Sequence, residues 1–293
     1  MRLPEDARGA QWALGLSGGA DSVALLHKCL EAGVRPVALH FNHAFEDENG
    51  DEAEAFCRAL CASLGVALRV GRRVASPQER GSKESRARTA RMAFFAQETR
   101  AAGCVGVLLA HQADDRAENL VLRLARGCGS EGLSSFGWGG GLPGAADLRV
   151  WRPLLDETHA AQVAWLRERD RVWVEDVSNA DLSIPRNAIR RVLAPLLPHF
   201  TAGANAAADL LAEESACLNR LAEAATASRT AQALELRPGT DATLARRALR
   251  AWLPTTLTRR QTEALLALPV GGVTQVEGGL GVRRVGDWTW VRL

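Results

Sequence analysis

The sequence predicts an α/β fold, a parallel sheet with helices on both faces, followed by a smaller, mainly helical C-terminal domain. Three observations carry this. Short apolar runs alternate with helical spacings through the first two thirds of the chain, glycine and proline punctuate them, and from Thr201 the composition turns alanine-rich. Strands that alternate with helices build parallel sheets whose faces the helices cover.

Taken in order, Trp12–Leu16 reads as a buried strand, and a glycine-rich turn leads into an apolar helical stretch ending near Ala32. Pro36–Phe41 is a second strand, followed by the acidic loop Glu46–Asp51 and an amphipathic helix over Asp51–Leu64. Ala67–Val70 is a short third strand, and Ser82–Ala102 carries helical spacing. Val105–Ala110 is the most hydrophobic strand, and Asp114–Arg126 returns as a helix. Gly127–Asp147, rich in glycine and serine, reads as a loop or flap. Leu148–Leu155, a helix near Thr158–Asp170 and the stretch Trp173–Leu197 complete the first domain. Pro195 and Pro198 punctuate its end, which places a boundary near residue 200. Beyond it, helical spacing runs to about Ala233 and recurs at Arg246–Leu253 and Thr258–Leu268, and Gly271–Leu293 reads as short strands.

The chain has 293 residues, 47% hydrophobic and 24% charged, with a net charge of only +2, so no overall basic field announces a nucleic-acid partner. Of the 36 basic residues only Lys28 and Lys83 are lysines. Arginine suits bidentate phosphate contacts, although a coding bias would leave the same mark. The six cysteines form no C-x-x-C pair, as expected of free thiols in a reducing compartment. No basic-then-apolar leader opens the chain and no apolar run approaches a membrane span, so a soluble, cytoplasmic protein is expected.

In parallel sheets ligands bind beyond the carboxyl ends of the strands, so the loops after Leu16, Phe41 and Ala110 should carry the chemistry. The first is Ser17-Gly18-Gly19-Ala20-Asp21-Ser22. Its glycines allow a tight strand-to-helix turn. The helix that follows offers free N–H groups and its positive dipole end to an anion. The loop lacks the spacing and the lysine of a Walker motif. An aspartate in a phosphate cradle repels its ligand unless a cation intervenes, so Asp21 implies Mg²⁺ shared with the phosphates. Alternatively, Asp21 or Ser22 only caps the helix.

The second strand ends in His40, Asn42 and His43, and the fourth delivers His111 and then Asp114, Asp115 and Glu118 at the start of a helix. Such acids could cap a first turn, hold Mg²⁺ or orient an amine. Arg123 and Arg126 suit the end of the same helix or a phosphate. Arg88 and Arg91 lie with Glu84 along the third helix, where ion pairs on a solvated face would account for them equally. Pro185 fits a helix start, with Arg186 and Arg190 on one face and Asn187 and Arg191 on the next, a clamp for phosphate or carboxylate or else a solvated basic face.

The S-G-G-x-D-S loop between strand and helix resembles the N-type ATP pyrophosphatase family, which implies its Rossmann-like fold and cleavage of ATP between the α- and β-phosphates. The ordered set over residues 12–200 is similar to the tRNA(Ile)-lysidine synthetase family. It comprises S-G-G-A-D-S, the N-H that ends the second strand, E-x-x-x-R-x-x-R, H-x-A-D-D-x-A-E, R-L-x-R-G-x-G-x-x-G-L, R-P-L-L, E-D-x-S-N and R-N-x-I-R. That resemblance implies adenylation of the wobble cytidine of an isoleucine tRNA with a CAU anticodon, then displacement of AMP by the ε-amine of free lysine. By the same resemblance Ser17–Ser22 bind ATP, and Asp21 and Asp115 serve Mg²⁺ and the phosphates. His111, Asp114 and Glu118 lie at the lysine and cytidine side. His40, Asn42, His43, Arg88, Arg91, Arg123, Arg126, Arg186, Asn187, Arg190 and Arg191 are expected to contact substrate or tRNA. Met92, Arg116 and Asn119 depart from the usual tyrosine, glutamine and threonine. A tRNA thiolase would usually carry paired C-x-x-C motifs, and this chain has none. A small-molecule synthetase or a non-catalytic RNA- or nucleotide-binding protein are the other readings. The oligomeric state, a dimer included, is left open.

Overall fold

The computed structural model describes residues 1–44, 49–74, 83–134, 136–175, 185–255 and 257–293. They form two compact units, Met1–Asp209 and Leu210–Leu293.

The first unit is built on a six-stranded sheet. Strands β1 (Ala13–Gly15), β2 (Val37–Asn42), β3 (Leu68–Arg72), β4 (Gly106–Leu108), β5 (Gly139–Leu142) and β6 (Ala145–Trp151) lie in the order β3-β2-β1-β4-β6-β5. All pairs are parallel except β5 on β6. Helices α1 (Ala20–Glu31), α2 (Gly50–Leu64), α3 (Lys83–Ala101) and α4 (Ala113–Ala125) follow the first four strands.

The two-residue period of a strand divides its side chains between the sheet's faces. Leu14, Leu16, Ala38 and Leu108 join one core with Val23, Leu25 and Leu26 of α1 and Cys57 and Cys61 of α2. Ala13, Leu39, Val107 and Val150 join the other with Met92, Phe95 and Ala96 of α3. Each large apolar side chain so buried stabilises the unit by roughly 1.5–3 kcal/mol. Met92 fills a core position, so its departure from the usual tyrosine is a matter of packing.

Gly106 shows how tightly β4 fits. A Cβ there would meet the Arg149 carbonyl oxygen and lie 2.8 Å from the Trp12 ring. Gly106→Ala should therefore cost about 1–3 kcal/mol through displaced backbone, visible as a lower midpoint in urea at unchanged slope.

The stretch Gly127–Asp147, read from the sequence as a loop or flap, holds a short helix α5 (Ser130–Leu133) and the β5–β6 hairpin. Gly139-Gly140-Gly141 has no side-chain alternation to betray a strand, and backbone pairing with β6 defines it. A Cβ at Gly139 would come within 2.9 Å of Trp151, so glycine lets that indole lie on the strand.

Helices α6 (His159–Arg167), α7 (Pro185–Leu193) and α8 (Leu197–Ala225) follow β6. In the second unit α9 (Ala242–Trp252) and α10 (Arg259–Ala267) accompany a five-stranded antiparallel sheet. Its strands are β7 (Thr226–Arg229), β8 (Ala233–Leu236), β9 (Val273–Gln275), β10 (Gly281–Gly286) and β11 (Thr289–Arg292). Helical spacing continued to Ala233 in the sequence, but the chain turns into β7 after Ala225. Leu234, Leu236, Leu249, Trp252, Leu265 and Trp290 form this unit's core.

Candidate active site

The loop after β1 is closed on itself by hydrogen bonds. The Ser17 backbone N donates to Ser22 Oγ at 3.2 Å, the two serine Oγ atoms lie 3.1 Å apart, and Gly19 N donates to Ser17 Oγ at 3.3 Å. Ser22 Oγ donates to the Gly19 carbonyl at 3.0 Å. Gly18 has φ +94°, where a side chain is strained. Gly19 is the N-cap of α1 and no side chain caps it, so the helix start faces the loop with its N–H groups. Neither Asp21 nor Ser22 is the cap. The segment after α6 closes one side: Val174 N donates to the Gly18 carbonyl at 3.0 Å, and the Trp173 indole N–H donates to Glu175 at 2.8 Å.

Asp21 meets His159, whose Nδ1 lies 2.9 Å from Asp21 Oδ1. An ionised carboxylate only accepts, so Nδ1 carries the proton. This bond holds the imidazole pKa above its ordinary value, although burial pulls the other way. The first turn of α6 that carries His159 is fixed twice. Thr158 Oγ1 accepts from Ala161 N at 3.2 Å, and His159 N donates to Asp114 Oδ2 at 2.9 Å.

The acids at the start of α4 divide between two sets of partners. Asp114, the second residue of the helix, takes Thr201 Oγ1 on Oδ1 at 2.9 Å as well as the His159 N–H on Oδ2. Asp115 and Glu118 turn to α7. Arg190 Nε donates to Glu118 Oε1 at 2.7 Å, and its Nη2 reaches Glu118 Oε2 and Asp115 Oδ1, each at 3.2 Å. The i,i+3 pair Asp115 and Glu118 thus shares a cation, Arg190. Capping operates too: Gln112 N donates to Asp115 Oδ2 at 3.0 Å, and Gln112 Oε1 accepts from Asp114 N at 2.6 Å. Desolvation works against the charge on Arg190, but the bonds to Glu118 and the fields of Glu118, Asp115 and Asp21 outweigh it and raise its pKa.

The carboxylates of Asp21 and Asp115 suit a hard cation that takes oxygen ligands, and the Arg190 guanidinium lies in the field of both. Among the described residues no three His, Cys, Asp or Glu side chains converge as a protein-only metal site. A divalent ion held by Asp21 and Asp115 would complete its shell from phosphate oxygens and water.

Other expected residues take other places. His40 is buried, with Nδ1 2.9 Å from the Leu16 carbonyl and its pKa lowered by burial, so it braces the strand end from beneath. Asn42 is buried too, donating to Asp51 at 2.8 Å and Glu54 at 3.0 Å and accepting from Ala44 N at 2.8 Å, which joins β2 to α2. The structure does not bring these two side chains to an open rim. His43 packs edge-on against Phe41, with centroids 5.2 Å apart. His111 meets Phe136 edge-on at 5.0 Å, and Arg152 covers the Phe136 ring at 4.8 Å. Burial and the neighbouring charge of Arg88 lower the Arg152 pKa to about 10. Arg123 is half-buried near the end of α4, Arg126 is exposed at its C-cap, Arg91 is half-buried on α3, and Asn187 is buried on α7 while Arg191 is exposed. The side chains of Glu84 and Arg186 and most of the E-D-x-S-N block lie outside the described residues. Arg116 is buried and pairs with Asp209 at 2.6 Å.

His159, Gln112, Thr201 and Glu157 were not singled out from the sequence. The strand-end rule could have found His159 and Glu157, because β6 is parallel to β4 and its carboxyl end opens on the same edge. Glu157 pairs with Lys28 and with the Met1 amino group, and it accepts from Gln162 at 2.9 Å. Burial pushes its carboxyl up, but these hydrogen bonds and the Lys28 charge hold it at about 2. A carboxyl depressed from its ordinary 4.5 adds stability above that pH and loses it as pH falls towards about 2. Glu157→Gln should cost about 2–3 kcal/mol at neutral pH and flatten the acid limb of the stability curve between pH 5 and about 2, measured by urea denaturation across that range.

Residues 2–197 match the PP-loop domain family, to which the chain therefore belongs. A tRNA(Ile)-lysidine synthase of Ralstonia nicotianae is 40% identical over 82% of this chain and 54% of its own length. One from an Enterobacter species is 33% identical over 96% of this chain and 70% of its own length, and the chain takes its place in the tRNA(Ile)-lysidine synthase family. It spans about half the length of the relatives from Ralstonia nicotianae, Chromobacterium violaceum and Geobacter sulfurreducens (54%, 52% and 47%). Among solved structures, the U34-tRNA thiolase NcsA of Methanococcus maripaludis shares the fold, with a TM-score of 0.59 at 15% identity over 72% of this chain and 75% of that one. No helix among the described residues is long and apolar enough to cross a membrane.

Proposed function

We propose that this chain is an ATP-dependent ligase that adenylates the wobble cytidine of an isoleucine tRNA with a CAU anticodon and joins free lysine to it. The observation that carries the reading is the convergence of the Ser17–Ser22 loop, Asp21 and the α4 acids at one edge of the sheet in a chain of this family. The cytidine carbon-2 carbonyl oxygen would attack the α-phosphate of ATP, with pyrophosphate leaving. The lysine ε-amine would then form its bond to carbon 2 as the C–O bond to AMP breaks.

The loop N–H groups and the start of α1 would hold the phosphates, where fixed donors stabilise charge that develops as pyrophosphate departs. Mg²⁺ held by Asp21 and Asp115 would neutralise the phosphate charge. Glu118, paired with Arg190, would lie on the lysine side, and a nearby acid would accept the proton the amine must shed before attack. Asp114, which ties the His159 backbone on α6 to Thr201 on α8, would instead hold the site together. We assign residues 1–200 to catalysis and residues 201–293 to contact with the tRNA, and place the protein in the cytoplasm with its substrate.

The test is incorporation of labelled lysine into a CAU-anticodon tRNA transcript with ATP and Mg²⁺, beside a transcript with uridine at the wobble position. Incorporation into the first alone, with AMP formed in step, is the expected result. ATP split without lysine transfer would retain the adenylation step and require another nucleophile.

A further inference from the structure

We propose that His159 is a positioning residue for Asp21, holding that carboxylate in the orientation in which it receives the cation that accompanies ATP. The inference rests on the reading that Ser17–Ser22 and Asp21 take Mg²⁺ and the ATP phosphates. His159 belongs to none of the sequence motifs, and geometry alone brings it in.

A first-turn aspartate on α1 with no bond to its side chain would exchange among its staggered rotamers. Here Oδ1 is held at 2.9 Å by an imidazole N–H on a backbone that is itself fixed. The His159 backbone is tied to Asp114 Oδ2 at 2.9 Å, and Asp114 Oδ1 is tied to Thr201 on α8 at 2.9 Å. Thr158 caps the turn that bears the ring. The series Thr201, Asp114, His159, Asp21 therefore crosses four elements, α8, α4, α6 and α1, and ends on a carboxylate beside the phosphate loop. Outer-shell groups of this kind set ligand orientation, and their loss typically costs 10–100-fold in affinity. The positioning role needs Nδ1 as a donor at one place in space and does not depend on the charge of the ring.

Three variants separate that donor from mere bulk. His159→Asn carries an amide N–H close to where Nδ1 sits, His159→Gln carries one further out near Nε2, and His159→Ala carries none. Equilibrium dialysis of ATP against the full chain at several Mg²⁺ concentrations gives the dissociation constant without turnover, and melting temperature reports folding. We expect about tenfold weaker Mg²⁺-dependent ATP binding in His159→Ala and His159→Gln, near wild-type binding in His159→Asn, and a matching rise in KM for ATP with a smaller change in kcat. Wild-type affinity in His159→Ala, or equal loss in all three folded variants, would overturn the positioning role while leaving the ATP reading intact. A wild-type chain that binds no ATP with Mg²⁺ would overturn both.

Discussion

Asp21→Ala should abolish release of pyrophosphate from ATP, by about 10³-fold or more, while the melting temperature stays near that of the wild type. The expectation separates two roles that an acid in a helix first turn can play. If Asp21 served only the α1 dipole, its removal would cost about 0.3–1 kcal/mol of stability and leave chemistry alone. Gly19 is the N-cap and carries no side chain, so the capping role is not filled by Asp21. Its carboxylate faces His159 and lies in the field of Arg190, beside the Ser17–Ser22 loop. Pyrophosphate release measured with Mg²⁺ varied decides the matter, and an active Asp21→Ala protein would remove the metal assignment.

The second large effect is expected at Arg190. Arg190→Met keeps the length and apolar stem of the side chain but removes the guanidinium bonded twice to Glu118 and once to Asp115. Glu118 is only 1% exposed, so water cannot replace those bonds without opening the structure. Arg190 itself is 37% exposed, so stranding the buried carboxylate costs about 1–3 kcal/mol. A domain of this size should then melt roughly 2–12 °C lower. The double variant Arg190→Met, Glu118→Gln should recover part of that loss, since no stranded charge remains, whereas lysine transfer should be lost in the single and the double variant alike. Recovery of stability without recovery of transfer would identify the pair as part of the chemistry as well as of the fold.

The alternating pattern of the first half was legible because each strand of the sheet's interior is an apolar run closed by a turn. Leu14, Leu39 and Val107 announce their strands by composition alone. β5 was not legible, since three consecutive glycines carry no pattern and only pairing with β6 makes them a strand. β7 and β8 were hidden for a related reason: the alanine-rich spacing of α8 runs into them without a break in composition. At the candidate site, the loop, Asp21 and the α4 acids stood out because they are contiguous. His159 and Thr201 did not, because their role comes from a meeting of residues 21, 114, 159 and 201 that no local spacing encodes. Spacing also misled at His40 and Asn42, which stand at a strand end yet turn inward, where each satisfies a backbone or side-chain partner.

The hydrogen bond from Val174 to the Gly18 carbonyl gives the protein an optical reporter. Trp173, one covalent step from that bond, packs against the first core and donates to Glu175. With no tyrosine among the 293 residues, near-ultraviolet emission comes from eight tryptophans without a phenolic background. A chain retaining Trp173 while its other seven indoles are replaced by phenylalanine would therefore emit from beside the glycine turn, and any ligand that reshapes that turn would be read as a change in colour and intensity.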